Sequence, residues 1–287
     1  MSLSSRLARI SRGALLAAIG AYSLLPIYML AVKSLKTMHE DAFGSPFVVL
    51  HPTLAWYADL FHPVRWVSGG LLVRKIPFLI WLGNTAIVFA AALAIVLFTS
   101  IMGAYALARL RPPGWRWWRR VLFATYLVPQ TLLFLPMFHF VYWLDLDDSL
   151  AALILVYPML AIPFCVWLLS AYFQRLSHEV EESAYIEGAD RLTAFFRIVL
   201  PMSWPVIAAA GIFALGVISS DSMFALIFLP NQFHQTLASG LGTVDVSWED
   251  LSVVAGVNLA ALTVVPVCAV FAGAYVRGLT AAMIEGA

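Results

Sequence analysis

Six stretches of this 287-residue sequence are apolar for long enough to cross a lipid bilayer, which leaves the chain few alternatives. A helix needs about 20 predominantly apolar residues to span the hydrocarbon, where each backbone amide must be satisfied inside its own segment. The runs lie near 13 to 32, 83 to 108, 121 to 143, 150 to 173, 203 to 228 and 252 to 276. With 62% hydrophobic and 11% charged residues and a mean hydropathy of +0.88, too few polar side chains remain to coat a soluble globule. The expected fold is an all-α membrane protein of six transmembrane helices, forming one transmembrane domain over 1 to 287. Arg6, Arg9 and Arg12 precede the first run as they would in a signal peptide. That run is longer than a typical signal h-region, and no small-x-small site follows before Lys33, so it reads as an uncleaved span.

The basic residues orient the bundle. With the N-terminus inside, the cytoplasmic side receives Arg6, Arg9, Arg12, Arg109, Arg111, Arg116, Arg119, Arg120, Arg175, Arg191, Arg197 and Arg277, which is 12 of the 17. The remaining five, Lys33, Lys36, Arg65, Arg74 and Lys75, share one long outer segment, where charge biases topology little. The two short outer loops are acidic, with Asp145, Asp147 and Asp148 in one and Asp245, Glu249 and Asp250 in the other. Both termini are therefore expected in the cytoplasm. The segment 33 to 82, punctuated by Pro46, Pro52, Pro63, Pro77 and the pair Gly69 and Gly70, reads as a small extracytoplasmic cap. Its last piece, near Leu71 to Trp81, is an amphipathic entry to the second span.

Between two apolar runs lies a cytoplasmic loop, 174 to 202, whose chemistry exceeds that of a connector. Ser177 can cap a short helix with Glu179, Glu181 and Glu182 in its first turns, where carboxylates suit the positive end of the dipole. Gly188 breaks that helix. Asp190 can cap a second, in which Leu192, Phe195, Phe196 and Val199 recur along one face until Pro201. An amphipathic helix lying on lipid would show a similar apolar face, but it favours Lys and Arg on its polar face, whereas this loop gathers five acids.

Residues 181 to 201, EESAYIEGADRLTAFFRIVLP, resemble the EAA loop of binding-protein-dependent ABC importer permeases. Glu182, Ala184, Gly188, Ala189, Phe195, Leu200 and Pro201 stand at the family positions, while Ser183 replaces an Ala and Glu187 an Asp. The resemblance extends to Thr53, Leu54, Tyr57, Leu60 and Phe61, to Asn84, to 104 to 110, to Pro129 and Pro136, and to Gly278, Leu279 and Thr280, all similar to the maltose-type, carbohydrate branch. Ser219 and Ser220 precede Asp221 where that branch shows Trp-Asn before an acid. The resemblance implies a MetI-like permease bundle in the bacterial inner membrane with a cytoplasmic coupling helix. It implies Glu182, Ala184, Glu187, Gly188, Ala189, Phe195 and Pro201 as the contact to two ATPase subunits, which carry ATP and Mg. It further implies a different permease chain as partner, an extracytoplasmic solute-binding protein, and a sugar or sugar-like solute. The tail 278 to 287 would add a second ATPase contact.

The residues also exclude functions. None of Lys33, Lys36 and Lys75 follows a glycine, so the Gly-Lys-Ser/Thr core of a Walker A loop is absent and ATP must be handled elsewhere. The six histidines show no HExxH spacing, and Cys165 and Cys268 sit in apolar runs as small hydrophobes. No catalytic set, metal site or resident cofactor is expected. A net charge of +1 with basic residues scattered at segment ends gives no face for nucleic acid. Asp221 is an acid well inside a span, either walling an aqueous path or meeting the partner permease, or else pointing to water at the outer interface. Asn84 and Gln130 are milder candidates for the path, although such groups more often hydrogen-bond between helices. A self-powered secondary transporter is the alternative. It would carry an internal repeat and midplane charges for ion coupling, and neither is evident.

Overall fold

The computed structural model describes residues 3 to 61, 77 to 244 and 251 to 285. Among these the chain is helical, without strands. It forms two compact units, one of Met1–Phe78 with Thr243–Ala261, the other of Leu79–Gly242 with Leu262–Ala287.

In the first unit, α1 (Leu3–Ser34) is followed by two short helices, α2 (Met38–Phe43) and α3 (Ala55–Phe61). Polar side chains fasten this turn-rich stretch to itself. Thr37 caps α2, its hydroxyl accepting from the Glu40 amide at 3.3 Å. The Glu40 carboxylate accepts the amides of Leu50 and His51, and the Leu50 hydrogen bond leads in holding its pKa below the usual carboxylate range. Trp56 Nε1 donates to the Lys36 carbonyl at 2.8 Å, and Lys36 Nζ to that of Ser45 at 2.5 Å. Residues 33 to 61, within the segment expected as an outer cap, thus fold back on themselves. Arg65, Arg74, Lys75 and most of the Leu71 to Trp81 entry lie outside the described residues, as do Asp245, Glu249 and Asp250.

The second unit holds α4 (Phe78–Tyr105), α5 (Trp115–Tyr126), α6 (Gln130–Trp143), α7 (Leu150–Phe173), α8 (Glu179–Ile186), α9 (Arg191–Ala194), α10 (Leu200–Met202), α11 (Trp204–Ser220) and α12 (Met223–Phe228). After these come α13 (Leu237–Thr243) and α14 (Ser252–Glu285), whose first turns belong to the first unit. Helix α7 is the centre. Ser149 caps it by accepting from the Ala151 amide, and its apolar surface extends all round, so it is buried between neighbours on several sides. Small residues let α11 approach: Ala161, Cys165, Ala210 and Ala214 are all fully buried in one cluster, with Cys165 Sγ 3.6 Å from the Ala210 carbonyl.

Among the described residues, three helical stretches are long and apolar enough to cross a membrane: Ser11–Ser34, Phe78–Leu110 and Leu150–Phe173. Two bent pairs would raise the number to five, and Ser252–Leu262 is a shorter apolar stretch opening α14. The second span begins at Phe78, five residues before the expected start at 83. The third expected span, 121 to 143, is not one helix, since α5 and α6 meet at 100°. Pro129 explains the break, because it offers no amide and disfavours the helical conformation at Val128. The fifth, 203 to 228, ends at Ser220. Ser219 and Ser220 turn their hydroxyls back to carbonyls three residues earlier, and Asp221 adopts an extended backbone and accepts from the amides of Phe224 and Ala225, starting α12 afresh. The helical backbone of α14 runs on through the expected tail to Glu285, whose side chains lie outside those described.

Candidate coupling site

The site grows from the end of α4. Past Tyr105 the helix widens into a π turn, Ala106–Leu110, and Arg111, in a left-handed conformation at φ 48°, closes it with its amide on the Ala106 carbonyl. Arg109 leaves this turn toward the 174 to 190 loop. Its Nη2 donates to the Leu176 carbonyl at 2.8 Å, its Nη1 lies 2.9 Å from both ring nitrogens of His178, and its Nε stands 3.1 Å from Glu181 Oε1. The pair is deeply buried, with side chains 3% and 8% exposed. The Nε hydrogen is not aligned on the carboxylate, so charge rather than a hydrogen bond holds that contact.

Glu181 faces inward because α8 is amphipathic in an unobvious register. Glu181, Ala184 and Tyr185 are three and four residues apart and share a face. Glu181 and Ala184 are 6% exposed, and the Tyr185 hydroxyl donates to Glu181 Oε2 at 3.4 Å. Glu182 lies on the other face, exposed, as do Ile186 and Glu187. Ser177 serves α8 as expected in part: its hydroxyl accepts from the Glu179 amide, but His178 occupies the cap position. Gly188 ends the helix at φ 89°, where a side chain is strained, and the Ala189 amide returns to the Ala184 carbonyl at 2.9 Å.

Asp190 then caps α9, its Oδ1 accepting from the Thr193 amide at 2.9 Å. Hydrogen bonds from Thr193 hold its carboxyl below the usual carboxylate range. The cap is therefore fully charged above that range and weakens only as pH falls through the lowered value. Beyond α9 the expected single helix changes form. Phe195–Val199 is a π turn, and the extra residue per turn rotates the buried face to Ala194, Phe195 and Val199. Leu192 and Phe196, expected on the apolar face, are 67% and 54% exposed. Pro201 does not stop the helix; it sits within α10, and the bend of 72° comes at Ser203. The wide turn spares the Arg197 carbonyl the clash that proline imposes four residues on. Phe195, 2% exposed, packs on Tyr105 at 4.5 Å between centroids, and Tyr105 meets Phe173 edge-on at 6.2 Å. Burying Phe195 and Val199 contributes very roughly 1.5 to 3 kcal/mol each.

Together these elements enclose a cavity of about 230 Å³ among Tyr105, Arg109, His178, Glu181, Glu182 and Arg191. Acid and base alternate around its rim, a surface suited to a complementary charged side chain from another protein. Of the expected contact residues, Glu182, Glu187 and Gly188 are exposed at the outer turn, Ala189 is half-buried, and Ala184 and Phe195 are buried supports. Sequence reasoning missed Arg109 and Glu181. The signal was present in the spacing of Glu181, Ala184 and Tyr185, but the apolar partner face of α8 is too short to stand out.

The three residues expected along a path have separate partners. Asn84 Nδ2 donates to the carbonyls of Phe233 and Gln235 at 2.9 and 3.0 Å, fastening the loop before α13 to α4. Gln130 is exposed beside a cavity of about 340 Å³ lined by Tyr126, Leu133, Met159 and Pro163 among others. Asp221 Oδ2 accepts from the Tyr157 hydroxyl at 2.9 Å, which ties α7 to the break between α11 and α12.

A family model described as binding-protein-dependent transport system inner membrane component matches residues 95 to 277. The inner membrane ABC transporter permease protein YcjP of Escherichia coli (strain K12) is 30% identical over 275 residues, 92% of each chain. The trehalose/maltose transport system permease protein MalG of Thermococcus litoralis is 28% identical over 286 residues, 96% of this chain and 95% of that one. In fold, the chain is similar to a chain in the crystal structure of a bacterial ABC transporter involved in the import of the acidic polysaccharide alginate. The TM-score is 0.73 at 20% identity, covering 94% of this chain and 97% of the other. An all-helical bundle with a glycine-turned, acid-rich loop docked on its centre, matched by the family model over 183 residues from 95 to 277, leads to one assignment. The chain belongs to the family of binding-protein-dependent transport system inner membrane components.

Proposed function

We propose that this chain is one of two membrane subunits of an ATP-driven importer for a sugar or sugar-like solute. It crosses the membrane six times with both termini in the cytoplasm, and the segment 33 to 82 lies outside. A different permease chain completes the pathway, an extracytoplasmic binding protein delivers the solute, and two ATPase subunits carrying ATP and Mg dock on the 174 to 202 loop. The observation that carries this reading is the docking of that loop: Arg109 and Phe195 hold its inner face on the bundle while Glu182, Ile186 and Glu187 project outward. A rigid foot of this kind transmits force, whereas a lipid-surface helix would bury its apolar face in the membrane. Names such as trehalose/maltose transport among relatives support a carbohydrate solute. Asp221 and Gln130 are proposed to border the solute path, with Asn84 at its outer end.

Purification of the chain with its coexpressed partners tests the reading. Co-purifying ATPase subunits whose activity rises with binding protein and sugar are the expected result. Uptake into liposomes by this chain alone would overturn it in favour of a self-powered transporter.

A further inference from the structure

The start of α5 carries more positive charge than the described residues answer. Its sequence with the preceding turn, Arg111 to Arg120, reads RPPGWRWWRR, and no acidic residue stands between Asp59 and Asp145. The rigid Pro112 and Pro113 turn, followed by Gly114 at φ 79°, folds Arg111 back over the helix. The guanidinium carbons of Arg111, Arg116 and Arg119 converge on the Trp115 ring, 5.7, 5.4 and 5.3 Å from its centroid. Arg120 follows, exposed. The indole face attracts each cation, but it does not neutralise three at once. Among the described residues none of these four arginines has an ion pair; Arg111 Nε donates to the Ala108 carbonyl at 3.2 Å and Arg119 Nη1 to the amide oxygen of Gln174 at 2.8 Å, both neutral acceptors.

Three like charges gathered without a counterion form half of an anion site. Guanidinium forks match the tetrahedral oxygens of a phosphate in pairs. Trp117 and Trp118, in edge-to-face contact at 5.0 Å, stand beside the cluster 59% and 52% exposed. Amphipathic rings so placed at the end of a membrane segment sit at headgroup level. We propose that the Arg111, Arg116, Arg119 and Arg120 cluster binds the headgroup phosphate of an anionic phospholipid, with Trp117 and Trp118 resting in the interface above it. Basic clusters flanking membrane helices gain from each anionic lipid they meet. The proposal concerns lipid alone and holds whichever solute is transported.

The test is native mass spectrometry of the purified, delipidated transporter complex offered equal amounts of phosphatidylglycerol and phosphatidylcholine. The parent is expected to retain phosphatidylglycerol preferentially. The double variant Arg111→Gln with Arg116→Gln should lose that retention about 30-fold, at about fivefold per charge. The corresponding Lys pair, which keeps the charge, should stay within a few-fold of the parent. Equal retention of both lipids by the parent, or undiminished phosphatidylglycerol on the Gln pair, would overturn the proposal. So would displacement by excess inorganic phosphate, which marks a site for free phosphate. Loss of ATPase subunits from the Gln pair with its lipid unchanged would assign the cluster to an acidic protein face instead. Should the Gln pair fail to insert, the parent's lipid preference in rising salt decides: it should fall as charge is screened, and a flat response contradicts the site.

Discussion

Replacing Arg109 by Met removes the counterion of Glu181 and both hydrogen-bonded tethers from the end of α4 to the loop. The remaining carboxylate, in a side chain 8% exposed, has no other ion pair among the described residues. Breaking a buried ion pair by deleting one partner costs about 3 to 5 kcal/mol, whereas replacing both by apolar groups of similar volume is near neutral. At about 1.4 kcal/mol per tenfold change, the open population of α8 rises by roughly two to three and a half decades in Arg109→Met. The double variant Arg109→Met with Glu181→Leu should recover much of that, because no charge is left behind. Hydrogen exchange of the Gly188 and Ala189 amides, which close on the Tyr185 and Ala184 carbonyls, reports the opening in the assembled complex. Exchange is expected to quicken in Arg109→Met and to slow again in the double variant. Unchanged protection in Arg109→Met, or a double variant no better than the single one, would refute the reasoning.

Other consequences are equally direct. Glu182→Ala, at an exposed position, should leave stability and insertion unchanged and lower solute-stimulated ATPase activity in the assembled transporter. Gly188→Asp should insert normally but weaken the turn by about 1 to 2 kcal/mol, because φ 89° is strained even though nothing crowds a Cβ there, again lowering stimulation. Asp221→Asn keeps an acceptor for the Tyr157 hydroxyl and removes the charge, so complex yield should hold while solute uptake falls; wild-type uptake kinetics would return Asp221 to a purely structural role. Gly240→Ala would drive a methyl into the Trp81 indole, and overpacking of about 1 to 3 kcal/mol should lower the melting temperature measured in detergent.

The apolar runs made helices and the membrane class legible, since a run of about 20 apolar residues is twice the length of a barrel strand and satisfies its backbone in lipid as a helix. The breaks were less so. Pro129 was visible, but whether a proline kinks or ends a helix depends on what packs around it, and here α5 and α6 part by 100°. Asp190 as a cap and Gly188 as a turn were readable because both act locally, Asp190 through its carboxylate on the amide three residues on and Gly188 through its own φ. The π turn at Phe195–Val199 was not, as no local residue type requires it, and it moved Leu192 and Phe196 from the buried face to the exposed one. Arg109 and Glu181 stand 72 positions apart in sequence, so their meeting depends on how α4, α7 and α8 pack together.

The central claim is that the 174 to 202 loop is where another subunit applies force. Ile186, at the tip of α8, is 87% exposed among the described residues, so a photoreactive amino acid placed there is expected to disturb little packing. Irradiation of the purified complex is expected to join this chain to the ATP-hydrolysing subunit, in a yield that changes when nucleotide is added. Cross-links only to lipid or to the chain itself, in a complex that still holds its ATPase subunits, would contradict the account.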